Sequence, residues 1–282
     1  MKKMNFKRGW ITPYKIILVV LLVIFYSKSS YALRIVSLTP SITKQLINLE
    51  LKDYIVGCTS YCPLARDKNS RAQVVGSVMD INVEAIVRLK PDVIYANPLT
   101  NIKTLNKLKN LNLKIEIIDY PKSIDDIQNS FLKIGKLTGR FEEAVKIVDI
   151  SKNKLEKIKN KYKKYQKTKV FFVIGVNPLF TASGGTYIDD IITTVNGINI
   201  AKQLNFGMVS KEFVLKNDPE VILIMDMGVV SQEVIKEFKR HPSLTAVKNN
   251  RFYTVNADRL GSPTLPDLID LIDEIGMMVH KR

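Results

Sequence analysis

Apolar and polar positions along the chain keep two rhythms that take turns. Short β-branched runs, Arg34–Leu38 (RIVSL), Tyr54–Thr59 (YIVGCT), Asp92–Asn97 (DVIYAN) and Lys114–Tyr120 (KIEIIDY), predict buried strands. Between and after them, helical spacing predicts helices over Pro40–Glu50, Val83–Lys90, Ile102–Leu111 and Ile124–Leu137. Strands separated by helical periods of about ten residues predict βαβ units around a parallel sheet.

Residues 141–166 break the alternation. Phe141, Val145, Val148, Leu155 and Ile158 form one apolar stripe with no strand signal, which predicts a single helix well beyond the usual length of about 11–12 residues. The alternation then restarts. Strands are predicted at Lys169–Val176, Glu220–Met225 and Arg251–Asn256, and helices at Tyr187–Val195, Ser210–Asn217, Gln232–Lys239 and Leu265–Lys281. The predicted fold class is α/β: two α/β lobes (residues 33–140 and 167–282) joined by one long backbone helix (residues 141–166), with a ligand cleft between the lobes.

The first 32 residues fit neither rhythm. Residues 1–15 hold five Lys/Arg and no acid, the apolar run Ile16–Tyr26 follows, and Ser27–Ala32 is small and polar. This order predicts a secretory signal peptide over residues 1–32, cleaved after Ala32, with an uncleaved membrane anchor as the alternative. Eleven apolar residues fall short of the about 20 that span a bilayer. The expected location is therefore the periplasm.

Charge changes its meaning once it is placed. The chain carries a formal net charge of +16, which by itself suggests a nucleic acid or an anionic surface as partner. Six of the basic residues lie in residues 1–32. Another nine, Lys152, Lys154, Lys157, Lys159, Lys161, Lys163, Lys164, Lys167 and Lys169, stand against Glu156 alone on the long predicted helix and just past it. A solvated helix face accounts for that run, and no nucleic-acid partner is expected; a surface protein binding anionic polymer or lipid through these lysines is the competing reading. Two cysteines and two histidines cannot build a Cys/His zinc framework. No nucleophile elbow, metalloprotease helix or dinucleotide fingerprint is present, so no catalytic residue, metal site or enzymatic activity is expected.

Several blocks in order make the reading specific: Arg34-Ile-Val-Ser-Leu-Thr-Pro-Ser41, Ile55-Val-Gly57 with Tyr61, Asn82-Val-Glu84 through Pro91-Asp92-Val93-Ile94, Asn177-Pro178-Leu179-Phe180, Val209-Ser-Lys-Glu212 and Asp218-Pro-Glu-Val-Ile222. Together they resemble the helical-backbone periplasmic binding proteins, the soluble receptors of ABC importers for cobalamin, iron–siderophore complexes and haem, and most closely the cobalamin-binding members. The resemblance spans residues 34–282. It implies a monomeric receptor without a cofactor of its own, which captures a metal-chelate ligand and hands it to an inner-membrane permease and its ATPase. Cobalamin is the implied cargo, with a ferric siderophore or haem as the alternative.

The resemblance also implies roles for residues. Tyr61, Phe180 and Phe206 match positions where aromatic rings face the ligand. Val78 and Asn97 stand where cobalamin-binding members carry tryptophans, and Arg259 lies near a family arginine. Glu84 and Glu212, one per lobe near a helix start, match the glutamates that dock on permease arginines, an arrangement in which charge pairs fix orientation; a helix-dipole role is the alternative for each. Cys58 and Cys62, four apart beside Tyr61, are a possible disulfide or two free thiols.

Overall fold

The computed structural model describes residues 33–226 and 228–281. The predicted export segment, residues 1–32, and its cleavage point lie outside them. Among the described residues no helix is long and apolar enough to cross a membrane.

The first lobe is built on five parallel strands: β1 (Ile35–Ser37), β2 (Ile55–Cys58), β3 (Gln73–Val74), β4 (Val93–Ala96) and β5 (Ile115–Ile117), in the order β3-β2-β1-β4-β5. Parallel neighbours need crossovers, here supplied by α1 (Pro40–Asn48), α2 (Val83–Arg88) and α3 (Ile102–Asn110). Val36, Leu38, Ile86, Ile94 and Leu105 bury one face of this sheet under its helices. Near-continuous apolar strands are what a sheet covered on both faces requires.

The second lobe centres on β6 (Thr168–Val176), with β9 (Val221–Asp226) and β10 (Phe252–Asn256) parallel on one side. On the other side β8 (Gly197–Asn199) pairs with the start of β6 in parallel, and β7 (Leu179–Thr181) with its end in antiparallel. The reversal into β7 is made at Asn177-Pro178, a cis peptide. The surrounding helices are α6 (Tyr187–Thr194), α7 (Lys211–Asn217), α8 (Val229–Phe238), α9 (Thr245–Lys248), α10 (Ala257–Gly261) and α11 (Leu265–His280).

Two helices carry the chain from one sheet to the other. α4 (Ile124–Thr138) opens on a capping box between Ser123 and Asp126 and closes at Gly139, whose φ of 71° suits a left-handed cap. α5 (Phe141–Lys163) is the long backbone helix, 23 residues ending three short of its predicted limit. Just beyond its end Tyr165 stacks on His280, ring centroids 4.8 Å apart. The buried stripe of α5 is Ala144, Val148, Ser151, Ile158 and Tyr162, while its lysines are exposed.

α5 is seated on α11 around Tyr162 and Lys161. Tyr162 is buried, with its hydroxyl 2.9 Å from both the main-chain oxygen and Oδ1 of Asp273. Lys161 Nζ donates to the same Oδ1 at 2.7 Å. Burial works against the Asp273 carboxylate, yet hydrogen bonds from Lys161 and Tyr162 hold it below its ordinary range. The ring lies over Gly276, where a Cβ would come within 2.3 Å of it.

Candidate ligand cleft

In both lobes the carboxyl ends of the strands converge on one region, where open α/β sheets bind their ligands. A cavity of about 310 Å³ lies there. Tyr120, Pro121 and Lys122, following β5, line it from the first lobe. Ile174, Phe180, Thr181, Tyr187, Met225 and Leu260 line it from the second. A narrow crevice continues from it past Tyr120 to Ser41, Gln45, Asn97 and Pro263.

Two polar contacts cross between the lobes beside the cleft. Lys44 on α1 donates to Asp258 at the start of α10, 2.9 Å to the carboxylate and 3.0 Å to the main-chain oxygen. Asp190 on α6 accepts from the Ile124 amide at 3.0 Å. Burial raises the Asp190 carboxyl above its ordinary range, and Asp189, Asp125 and Asp126 push the same way against the Ile124 hydrogen bond.

The expected ligand residues fall into distinct settings. Phe180 and Phe206 come together edge to face, centroids 5.4 Å apart at 76°, with Phe206 62% exposed. Tyr61 stands 60% exposed on the turn after β2. Asn97, at the end of β4, accepts from the Leu99 amide at 3.1 Å and borders the crevice. Val78 is half-buried in the turn following β3. Arg259 is committed elsewhere: Nη1 donates to both Glu274 oxygens at 2.9 and 2.8 Å, and Nη2 to Asp267 O at 3.1 Å. Its neighbours Leu260 and Gly261 line the cavity instead.

Cys58 and Cys62 are two free, buried thiols rather than a disulfide. The Cys62 sulfur lies 3.1 Å from Thr43 Oγ1 and 3.2 Å from Thr59 Oγ1. A hydrogen bond from Cys58, helped by these hydroxyls and opposed by burial, draws Cys62 down to about 6, while the same bond and burial push Cys58 up. Among the described residues no group of three or more His, Cys, Asp or Glu is placed to hold a metal.

Glu84 and Glu212 are exposed in the first turns of α2 and α7, one on each lobe. Asn82 caps the first helix by accepting from the Ala85 amide at 2.9 Å, and Ser210 caps the second from Phe213 at 3.3 Å. With those caps in place, neither glutamate serves as the N-cap acceptor of its helix. A hydrogen bond with Ser210 holds Glu212 below its ordinary range.

Tyr120 and Tyr187 are cleft residues outside the sequence expectation. The pattern predicts a strand running to position 120, but β5 ends at Ile117, which puts Tyr120 on the loop that lines the cavity. Pro121, directly after it, was the available signal, since proline disfavours continuation of a ladder.

Comparison with known proteins places this architecture. The model of the family described as periplasmic binding protein matches residues 35–258. An uncharacterized ABC transporter substrate-binding lipoprotein of Bacillus subtilis is 27% identical over 255 residues, covering 88% of this chain and 80% of that protein. The crystal structure of a possible iron-binding, periplasmic solute-binding protein from Staphylococcus epidermidis aligns with a TM-score of 0.78 at 28% identity, over 88% of this chain and 98% of that one. The periplasmic vitamin B12-binding protein of Vibrio cholerae aligns with a TM-score of 0.72 at 26% identity, over 87% and 96%. With the family match spanning both sheets and the helix between them, the chain belongs to the periplasmic binding protein family.

Proposed function

We propose that this protein is the solute receptor of an ABC importer and that its cargo is a corrinoid, cobalamin or a close relative. Proteins of this family are transport receptors rather than enzymes. In this reading residues 1–32 direct export to the periplasm, the mature monomer captures the ligand between its lobes, and Glu84 and Glu212 dock on the permease that works with its ATPase.

The observation that carries the choice of cargo is the character of the cleft wall. Tyr120, Phe180 and Tyr187 line it together with Ile174, Met225 and Leu260. Of the basic groups nearby, Arg259 is occupied by Glu274, Lys44 by Asp258 and Lys133 by the main-chain oxygen of Ile117, which leaves Lys122 as the lysine that lines the cavity. A ferric siderophore with several anionic donors needs compensating charge when desolvated, whereas a corrin of low net charge is served by rings such as Tyr61, Phe180 and Phe206. The vitamin B12-binding protein of Vibrio cholerae, which covers most of the chain, supports the same choice.

The test is titration calorimetry of the mature protein with cyanocobalamin, hemin and a ferric catecholate siderophore. Saturable cobalamin binding at about micromolar affinity or tighter, near −8 kcal/mol, is expected. Saturable binding of hemin or the siderophore with no heat from cobalamin assigns the cargo to that ligand instead.

A further inference from the structure

The lysines of α5 are ordered as well as dense. Every exposed residue from position 152 to 164 is a lysine, Asn153, Asn160 or Glu156. Residues three and four apart share a helix face, so Lys154, Lys157, Lys161 and Lys164 form one unbroken row. On the other flank of the buried stripe Lys152, Lys159 and Lys163 form a second row, interrupted by Glu156. Like charges at these spacings destabilise a helix, whereas Glu alternating with Lys supports one and is equally well solvated. Solvation therefore explains why this face is exposed but not why it has a single sign.

Neighbouring acids neutralise only part of it. Lys161 pairs with Asp273 at 2.7 Å, Lys154 with Asp270 at 3.7 Å and Lys159 with Glu156 at 3.7 Å. Lys152, Lys157, Lys163, Lys164 and Lys167 make no ion pair among the described residues. Lys157 stands at a groove of about 270 Å³ between α5 and α11, beside Lys154, Lys161 and their two aspartates. This face is also remote from the cleft. α5 delivers the chain to the amino end of β6, and the strand covers about 20 Å from Thr168 to Ile174, which lines the cavity.

The surroundings of the lysines select the chemistry of a partner. No exposed apolar side chain lies between positions 152 and 164 to enter a bilayer, where surface-bound helices bury Trp, Phe or Leu. No free ring is offered to stack bases, as binders of single-stranded nucleic acid do: Tyr162 is buried and Tyr165 is stacked on His280. Rows on two flanks of one helix can be followed by a flexible chain, while a flat surface meets one flank at a time. We propose that this face binds a linear polyanion of repeating phosphates without bases, which holds the protein by the side away from its cleft. The proposal does not depend on which cargo the cleft takes.

Fluorescence anisotropy of end-labelled, long-chain inorganic polyphosphate titrated with the protein tests it. Saturable binding is expected, with log K falling against log salt at a slope of about −3.5 if the five unpaired lysines each neutralise one phosphate. The variant K152Q/K157Q/K163Q/K164Q/K167Q should lose at least about a hundredfold in affinity at about 50 mM salt, with a slope near zero. Its Tm should equal or exceed that of the wild type, since like charges are removed from one helix. The variant K103Q/K107Q/K109Q/K114Q/K136Q removes the same charge from the first lobe and α4, and should bind within about threefold of wild type. Absence of saturable polyphosphate binding overturns the proposal, as does an equal loss in the two variants, which would reduce the effect to net charge. Tighter binding of single-stranded DNA than of polyphosphate, or binding only to vesicles of phosphatidylglycerol and phosphatidylcholine, would likewise overturn it in favour of a nucleic acid or a membrane.

Discussion

Gly276→Ala should destabilise this protein, although in most helices the same change stabilises. Helix propensity favours alanine by about 1 kcal/mol. Here, however, the new Cβ lands 2.3 Å from Cε2 and Cζ of the Tyr162 ring and 2.8 Å from its hydroxyl. The ring cannot give way cheaply, since it is buried against α11 and its hydroxyl is bonded to Asp273. Overpacking of this kind costs about 1–3 kcal/mol, and displacing the hydroxyl from a carboxylate forfeits about 1.5–3 kcal/mol more. Against the propensity gain, the net loss is about 1.5–5 kcal/mol. Urea unfolding followed by far-UV circular dichroism reads this directly, and Tm should fall by about 2–4 °C per kcal/mol. A Tyr162→Phe background retains the ring and hence the clash, so G276A should still destabilise there. A Tyr162→Leu background removes the ring, and the substitution should become neutral or stabilising. A G276A protein as stable as the wild type, or the same cost in both backgrounds, would show that α5 and α11 are not seated on Tyr162 as described.

Two further predictions concern charge. Asp190 has a folded-state pKa raised above its unfolded value, so the native state binds the extra proton and stability falls as pH rises through that range. Asp190→Asn keeps an acceptor for the Ile124 amide and removes the charge; it should match or exceed wild-type stability at pH 7 by a few tenths of a kcal/mol, the advantage vanishing below pH about 4. A D190N protein whose urea midpoint at pH 7 is well below wild type would contradict this sign. For the exposed glutamates, the double substitution Glu84→Ala with Glu212→Ala should leave calorimetric ligand affinity unchanged while abolishing uptake in a transport assay; normal uptake would remove them from the docking surface.

Long apolar runs made most of the fold legible. Segments such as KVFFVIGV and EVILIM had no place but a buried strand, and β6 and β9 formed where these lie. What escaped was short or dictated from elsewhere. β3 has two residues and β7 and β8 three each; these are held by their partners' ladders rather than by their own composition. The same applies to α9, four residues whose start is fixed by Asp218 accepting from the amide and hydroxyl of Thr245. In the cleft, the pairing of Phe180 with Phe206 joins positions 26 apart in sequence, numbered as such. The diversion of Arg259 onto Glu274 depends on α10 packing against α11, and local pattern carries no trace of it. Cys62 likewise owes its environment to Thr43 on another element.

The seating of α5 bears on how an importer would tell a full receptor from an empty one. Receptors with flexible hinges signal occupancy by closing, and their affinity is reduced by the fraction of time spent open. Here a 23-residue helix bridges the lobes, Tyr162 seats it on α11, and Lys44 of the first lobe reaches Asp258 of the second. In the receptor role proposed above, such a body would hold Glu84 and Glu212 at nearly the same separation with or without cargo. An empty copy would then compete with a loaded one for the same transporter. Uptake would be governed by the ratio of the two forms, and an excess of unloaded receptor would act as its own inhibitor.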